Sequence, residues 1–235
     1  FKSVTLARHG LDGRGPSASG DAVSQSGQAA NQSDARTLHS KTCRDVTDRA
    51  KQTLKWMVDN NTSLLNIALD HLTVSRAALY ELLLSGTPAA ASTEIEAAVS
   101  GLRRAGAVEF LIPGLLTRAW QRSLLGRTTG PDSAQSDLDE AWEIASRGPM
   151  PLFMADIHLH RARFFGRRGV GEERGQKDAT DSSPHSLLAS PLQYPWESVE
   201  HDLSEARWLI KKHGYGRRKG ELEDAEAALV PQKSE

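Results

Sequence analysis

Apolar residues along this chain recur at helical spacing and rarely alternate. From about Asp45 onward, Ala50, Leu54, Met57 and Val58 fall on one face of a helix. Ile95, Ala98, Val99 and Leu102 follow the i, i+3, i+4, i+7 pattern. Leu138, Ala141, Trp142 and Ala145 repeat it, and Leu203, Ala206 and Ile210 keep most of it. Between these lie more continuously apolar stretches at 64–84, 111–125 and 152–165, with a last short one near 222–229. The strand formers neither cluster nor alternate, while Ala, Leu, Arg and Glu dominate after Arg44. The pattern predicts an all-α chain. Punctuation agrees with it. Thr93-Glu94-Ile95-Glu96 has the form of a capping box. Pro88, Pro113, Pro131, Pro151 and Pro195 stand at or just before expected helix starts, where a missing N–H costs little. Gly86, Gly106, Gly126, Gly148 and Gly214 stand near expected ends.

Two stretches lack this period. Residues 1–43 are rich in Ser, Gly, Ala and Gln with little to bury, and are expected to form a poorly ordered leader with a short ordered piece near residues 4–7. Residues 169–195 are polar, contain three prolines, and are expected to form a mobile insertion within an ordered region spanning 44–230. Residues 231–235 read as a tail.

The helical segments repeat one another. The triple Ala91-Ile95-Ala98 recurs as Ala134-Leu138-Ala141 at a shift of 43, and as Val199-Leu203-Ala206 at a further shift of 65, the excess of 22 falling where the polar insertion lies. The preceding helices align too: Val74-Ser75-Arg76-Ala77 matches Leu116-Thr117-Arg118-Ala119 and then Leu159-His160-Arg161-Ala162, at shifts of 42 and 43. A recurring helical pair buries its apolar face by stacking on its neighbours, so the period predicts a superhelical solenoid of antiparallel helix pairs. Ala98, Ala119, Ala141, Ala162 and Ala206 are expected at close helix crossings.

The small-large-small triple, spaced four then three, resembles the second-helix signature of tetratricopeptide (TPR) repeats. Ala77, Ala119 and Ala162 match the small first-helix position, and Gly126 and Gly169 fall seven residues later, where such repeats turn. The wording around 69–80, 101–106 and 137–163 is similar to the C-terminal repeat arrays of bacterial multidomain signal-transduction NTPases of the STAND/NACHT type. The resemblance covers about residues 44–229. The period of about 43 is longer than the roughly 34 usual for the family. The proline that usually closes the second helix is also missing after Ala98, Ala141 and Ala206. The resemblance implies a TPR-like fold and a role in protein binding.

Charge narrows the function. Lys+Arg is 29 and Asp+Glu 30, for a net charge of −1, so no global positive excess is available to hold nucleic acid. No apolar run approaches the roughly 20 residues that cross a bilayer, and no membrane association is expected. One cysteine, Cys43, excludes an internal disulfide and a zinc site built on several thiolates. With no activating neighbour in sequence it is expected to be inert. The chain opens on Phe1, so a fragment, a processed product or an incomplete reading frame is expected, and the first residues lack the apolar core of a signal peptide. A cytoplasmic location is the resulting expectation.

Candidate chemistry is sparse. Arg8-His9-Gly10 after a short apolar run resembles the start of histidine phosphatases, but that chemistry needs a parallel sheet and further His, Arg and acidic residues in order. Asp156, His158 and His160 invite a metal reading, yet residues two apart on a helix point about 200° apart. Asp137, Asp139, Glu140 and Glu143 read as the solvated face of an amphipathic helix. Arg217, Arg218 and Lys219 read as a solvated helix start rather than a phosphate contact. No phosphate-binding loop or dinucleotide fingerprint occurs, so neither catalytic residues nor a metal or other cofactor are expected. The recurring Arg76, Arg118 and Arg161 are the candidate partner-binding residues. Stacked repeats would align them as a cationic ladder facing an acidic protein or peptide, unless each pairs with a local acid or covers apolar surface with its stem. The expected function is that of an interaction scaffold or sensor module. The alternative is the spacer or autoinhibitory arm of a nucleotide-dependent switch whose NTPase domain lies outside this chain.

Overall fold

A computed structural model describes the backbone of residues 22–85, 91–166 and 194–229. Among the described residues all regular structure is helical: α1 (Ala22–Asp59), α2 (Leu64–Ser85), α3 (Ala91–Ala105), α4 (Val108–Leu124), α5 (Ala134–Arg147), α6 (Pro151–Phe165), α7 (Val199–His213) and α8 (Lys219–Ala227), with a 3₁₀ turn at Gly216–Arg218. From α2 to α8 these elements follow the apolar period closely. None of the described helices is long and apolar enough to cross a membrane.

Three starts differ from expectation, each for a local reason. Helix α1 begins at Ala22, inside the segment expected as leader. Its Ala- and Gln-rich first half has helix-forming side chains although Asp34 to Leu38 bury nothing. Helix α3 begins at Ala91, so Thr93 lies inside the first turn rather than at its cap, and Glu94 turns outward to His71 Nδ1 at 2.6 Å. Helix α4 begins at Val108, which places Pro113 inside it. The Pro113 carbonyl accepts from Thr117 Oγ1 at 2.7 Å and Arg76 Nη2 at 3.2 Å. The Arg8-His9-Gly10 motif, Gly86, Pro88, Gly169 and all of the expected insertion except Tyr194 and Pro195 lie outside the described residues.

The chain divides into two compact units, residues 2–117 and 118–235, and the division falls within α4. In the first unit α2 is the central element. It is apolar around most of its circumference, and α1 and α3 both pack on it. A helix apolar on all sides is stable only when neighbours cover it. The closest approach is made by small residues: a Cβ added to Gly101 would stand 2.8 Å from the Cβ of Ala68. Leu72, Leu79, Ile95, Val99, Leu102, Ile112 and Leu115 are buried here, each contributing about 1.5–3 kcal/mol relative to exposure.

In the second unit α6 and α7 share a core of Ala155, Leu159, Ala162, Leu203, Ala206, Leu209 and Ile210, closed by Leu222 and Ala225 of α8. The alanines expected at close crossings, Ala98, Ala119, Ala141, Ala162 and Ala206, are all buried. At Gly214, φ is +72° and its N–H reaches back to Ile210 O, so α7 ends on a left-handed residue that only glycine adopts cheaply.

Candidate functional site

The three recurring arginines occupy equivalent positions on the first helices of successive pairs, but they do not share an environment. Arg76 on α2 is exposed, and its Nε donates to Thr117 Oγ1 at 3.0 Å. Arg118 on α4 is buried. Its Nε and Nη2 both donate to Asp137 Oδ1, at 3.0 and 2.7 Å. Arg161 on α6 is half-buried and donates from Nη1 to Asp202 Oδ2. Arg118 and Arg161 are therefore turned to acids of their own helix pair, and a row of open guanidinium groups does not form from them. The local-acid alternative describes both.

The acids that hold them were hidden in the helix faces. Asp137 was expected on the solvated face of α5 and is 1% exposed instead. Its position explains this. Ser133 caps α5 with a reciprocal box to Ser136, and the fourth residue after the cap turns toward α4. There Asp137 meets Arg118 on one oxygen and Arg122 on the other, with Arg122 Nη1 at 2.9 Å from Oδ2. Burial pushes the Asp137 carboxyl up, and hydrogen bonding to Arg118 with the charges of Arg118 and Arg122 draws it back down.

The same construction recurs on α7. Ser198 caps it, accepting from His201 N, and the fourth residue after the cap is Asp202, fully buried. Asp202 Oδ1 lies 2.9 Å from His158 Nδ1, and Oδ2 takes Arg161. The shift of 65 that aligns Leu138 with Leu203 also aligns Ser133 with Ser198 and Asp137 with Asp202. That was the available signal. It was masked because a carboxylate one residue before the apolar stripe looks solvated until the facing arginine is placed.

His158 is packed against Trp142 and Trp196, at centroid distances of 5.2 and 5.8 Å. Arg161 also stacks over Trp196, at 5.1 Å. Asp139 accepts from Trp196 Nε1 and Glu143 from Tyr194 Oη, both at 2.6 Å. The acids of α5 thus divide by height: Asp137 fastens α4, while Asp139 and Glu143 strap down the Tyr194–Trp196 segment leading into α7. The hydrogen bond to Glu143 pushes the Tyr194 hydroxyl up to about 12.

A third tie closes the end of the unit. Arg218 donates from Nε and Nη2 to the two oxygens of Asp156 on α6, at 2.6 and 2.8 Å, and from Nη1 to Glu221 at 3.1 Å. Arg163 reaches Glu221 as well. Arg218 was expected to be solvated; its planar fork instead matches the buried carboxylate of Asp156 beside the core of α6, α7 and α8. Asp156 and His158 are thus committed to different partners, Arg218 and Asp202. Among the described residues no group of three or more His, Cys, Asp or Glu side chains is placed to hold a metal ion. Burial pushes the Cys43 thiol up, away from the reactive thiolate.

Chemically, these buried charges face one another, and they fix the register of one helix against the next rather than presenting a reactive group. Comparison of the chain with family models, with curated proteins and with solved structures finds no match.

Proposed function

We propose that the chain is a protein-interaction module of the tetratricopeptide kind, a superhelical solenoid acting as a cytoplasmic scaffold or sensor for a protein or peptide partner. The observation that carries this reading is the recurrence of one buried tie at one position of the repeat: Arg118 with Asp137, and Arg161 with Asp202. A buried ion pair contributes little net stability, because desolvation offsets most of the attraction, but its geometry rewards a single register. Helix pairs locked in register hold their outer side chains at fixed spacing. A partner then supplies most of the conformational entropy lost on binding. Arg118 and Arg161 serve this function from inside, and recognition falls to exposed side chains.

The test places a photo-crosslinking amino acid at exposed positions of the chain in its native host, followed by reconstitution with the purified crosslinked protein. A saturable complex of fixed stoichiometry by calorimetry is the expected result. Turnover of a phosphoester or nucleotide by the purified chain, with no saturable partner, overturns the reading.

A further inference from the structure

The repeat leaves one of its three arginines without an acid. The shifts that align Asp137 with Asp202 also place Glu94 at the same position on α3, directly before Ile95 of the apolar triple. Arg118 and Arg161 each meet the acid of their own pair. In the first pair that acid goes elsewhere: Glu94 meets His71 at 2.6 Å. Arg76 makes no ion pair among the described residues and has two neutral acceptors on α4 instead. Its Nε donates to Thr117 Oγ1 at 3.0 Å, and its Nη2 donates to the Pro113 carbonyl at 3.2 Å. The Thr117 hydroxyl is itself fixed, donating to the same carbonyl at 2.7 Å.

These bonds hold one edge of the guanidinium plane against α4. The Nη1 end makes no hydrogen bond among the described residues, and the residue is exposed. Nη1 and the second N–H of Nη2 form a fork of two parallel donors, the shape that a carboxylate matches. Desolvation by the surrounding atoms pushes the Arg76 guanidinium down from its ordinary value. Tyr80 opposes this, and among the described residues no carboxylate does. Arg76 is the single Lys or Arg of α2, and residues 108–117 of α4 carry none. Tyr80, one turn further along α2, is 45% exposed. Phe110, at helical spacing from Pro113 and Thr117 on α4, is 37% exposed.

We infer that Arg76 binds the side-chain carboxylate of an Asp or Glu in a partner peptide, so that the partner supplies the acid that Asp137 and Asp202 supply within the later pairs. This rests on the reading of the chain as an interaction module and names a site through which it acts. The carboxylate takes the Nη1–Nη2 fork, and apolar side chains on either side of it lie against Tyr80 and Phe110. The number of charges selects this occupant. A phosphate backbone or an anionic bilayer is held by several cations together, whereas here one cation stands between two apolar helices. A single carboxylate among apolar side chains complements it.

The experiment titrates the isotope-labelled full chain, followed by NMR, with two pools of acetylated and amidated octapeptides. One pool has a fixed internal Glu between Leu, Val or Phe residues, with Ser elsewhere. The other has Gln in place of that Glu. The blocked ends leave the Glu side chain as the single carboxylate. Saturable shifts are expected for the Arg76 Nε–H and for the backbone amides of Tyr80, Phe110 and Thr117. The Glu pool should bind about tenfold more tightly than the Gln pool, the worth of a hydrogen bond to a charged group. Arg76→Gln should remove that preference, Arg76→Lys should keep part of it, and Lys55→Glu on α1 should leave it unchanged. The comparison of the two pools on the parent chain needs no variant to fold. Equal binding of the pools overturns the proposal, as does a Glu preference that survives in Arg76→Gln or the absence of shifts at millimolar peptide. So does tighter binding to oligothymidylate or to phosphatidylcholine vesicles containing one-fifth phosphatidylserine. A saturable Glu preference whose shifts fall on another surface removes this site while leaving the interaction module standing.

Discussion

The α4–α5 and α6–α7 pairs solve one packing problem with different chemistry. In each, a Ser caps the second helix, an Asp four residues later is buried, and an Arg from the first helix meets it. Asp137 then takes a second guanidinium from Arg122, whereas Asp202 takes the imidazole of His158. The first cluster holds two permanent cations on one buried anion, with the exposed Asp132 also 3.4 Å from Arg122. The second holds one permanent cation and a ring that has a neutral form. Closure differs as well. Helices α4 and α5 are joined by a compact turn in which Ala134 N reaches Arg127 O and Gln135 N reaches Thr128 O. The entry to α7 is held from a distance, by Tyr194 and Trp196 on the acids of α5. A repeat position can thus keep its acid and its arginine while the rest of the tie is rebuilt around them.

Removing the acids should separate the two clusters most. Asp137→Ala removes the buried anion that Arg118 and Arg122 share, leaving the exposed Asp132 at 3.4 Å from Arg122, and should cost about 3–5 kcal/mol in urea unfolding. Asp202→Ala should fall at or below the low end of that range, because one guanidinium, Arg161, rather than two loses its buried anion. A larger loss at Asp202 would mean that the number of guanidinium groups on the acid does not set the cost of removing it.

The caps provide a finer comparison. Ser133 accepts from Ser136 N while the Ser136 hydroxyl accepts from Ser133 N, at 3.1 and 3.0 Å, whereas Ser198 makes the single bond from His201 N. Each Ser→Ala change should cost about 0.5–2 kcal/mol, with Ser133 the larger. Equal losses in thermal melts would show that the reciprocal half of the box adds nothing at α5.

How much of this was readable in sequence follows from which signals are local. The placement of α2 to α8 came from apolar period and from Pro and Gly punctuation, except for the starts of α3 and α4, and the buried alanines came from the aligned triples. These depend on a helix's own face. The ties do not. Arg118 and Asp137 are 19 residues apart, and neither reveals from its neighbours that the other faces it. Arg161 and Asp202 are separated further by the polar stretch between α6 and α7. The equivalence of Arg118 with Arg161 was visible as repetition, but repetition alone is silent on whether the position faces water or a partner helix. Pairing it with the equally repeated Asp137 and Asp202 would have decided that. The reach of Arg218 to Asp156, across 62 residues, had no repeated counterpart to betray it. The helical start of α1 was missed for the opposite reason: its sequence offers few apolar side chains, so no apolar period marks the helix.

The smallest effect concerns the strap that distinguishes α6–α7 from α4–α5. Tyr194 is partly exposed, so its bond to Glu143 adds little stability, but it leaves a spectroscopic trace. The folded hydroxyl is raised from its ordinary value near 10 to about 12, chiefly because a phenolate would face the Glu143 carboxylate that its proton now binds. A group raised in the folded state contributes fully below its unfolded value. The contribution of Tyr194 should therefore be constant up to about pH 10 and lost as pH rises toward 12. Absorbance titration of the parent chain minus that of the Tyr194→Phe variant isolates this one phenol, with an expected midpoint near 12. Glu143→Gln should return that midpoint toward the usual range, because an amide leaves the phenolate unopposed. A difference curve already centred near 10 in the parent chain would mean that Trp196 alone, through Asp139, fastens the entry to α7.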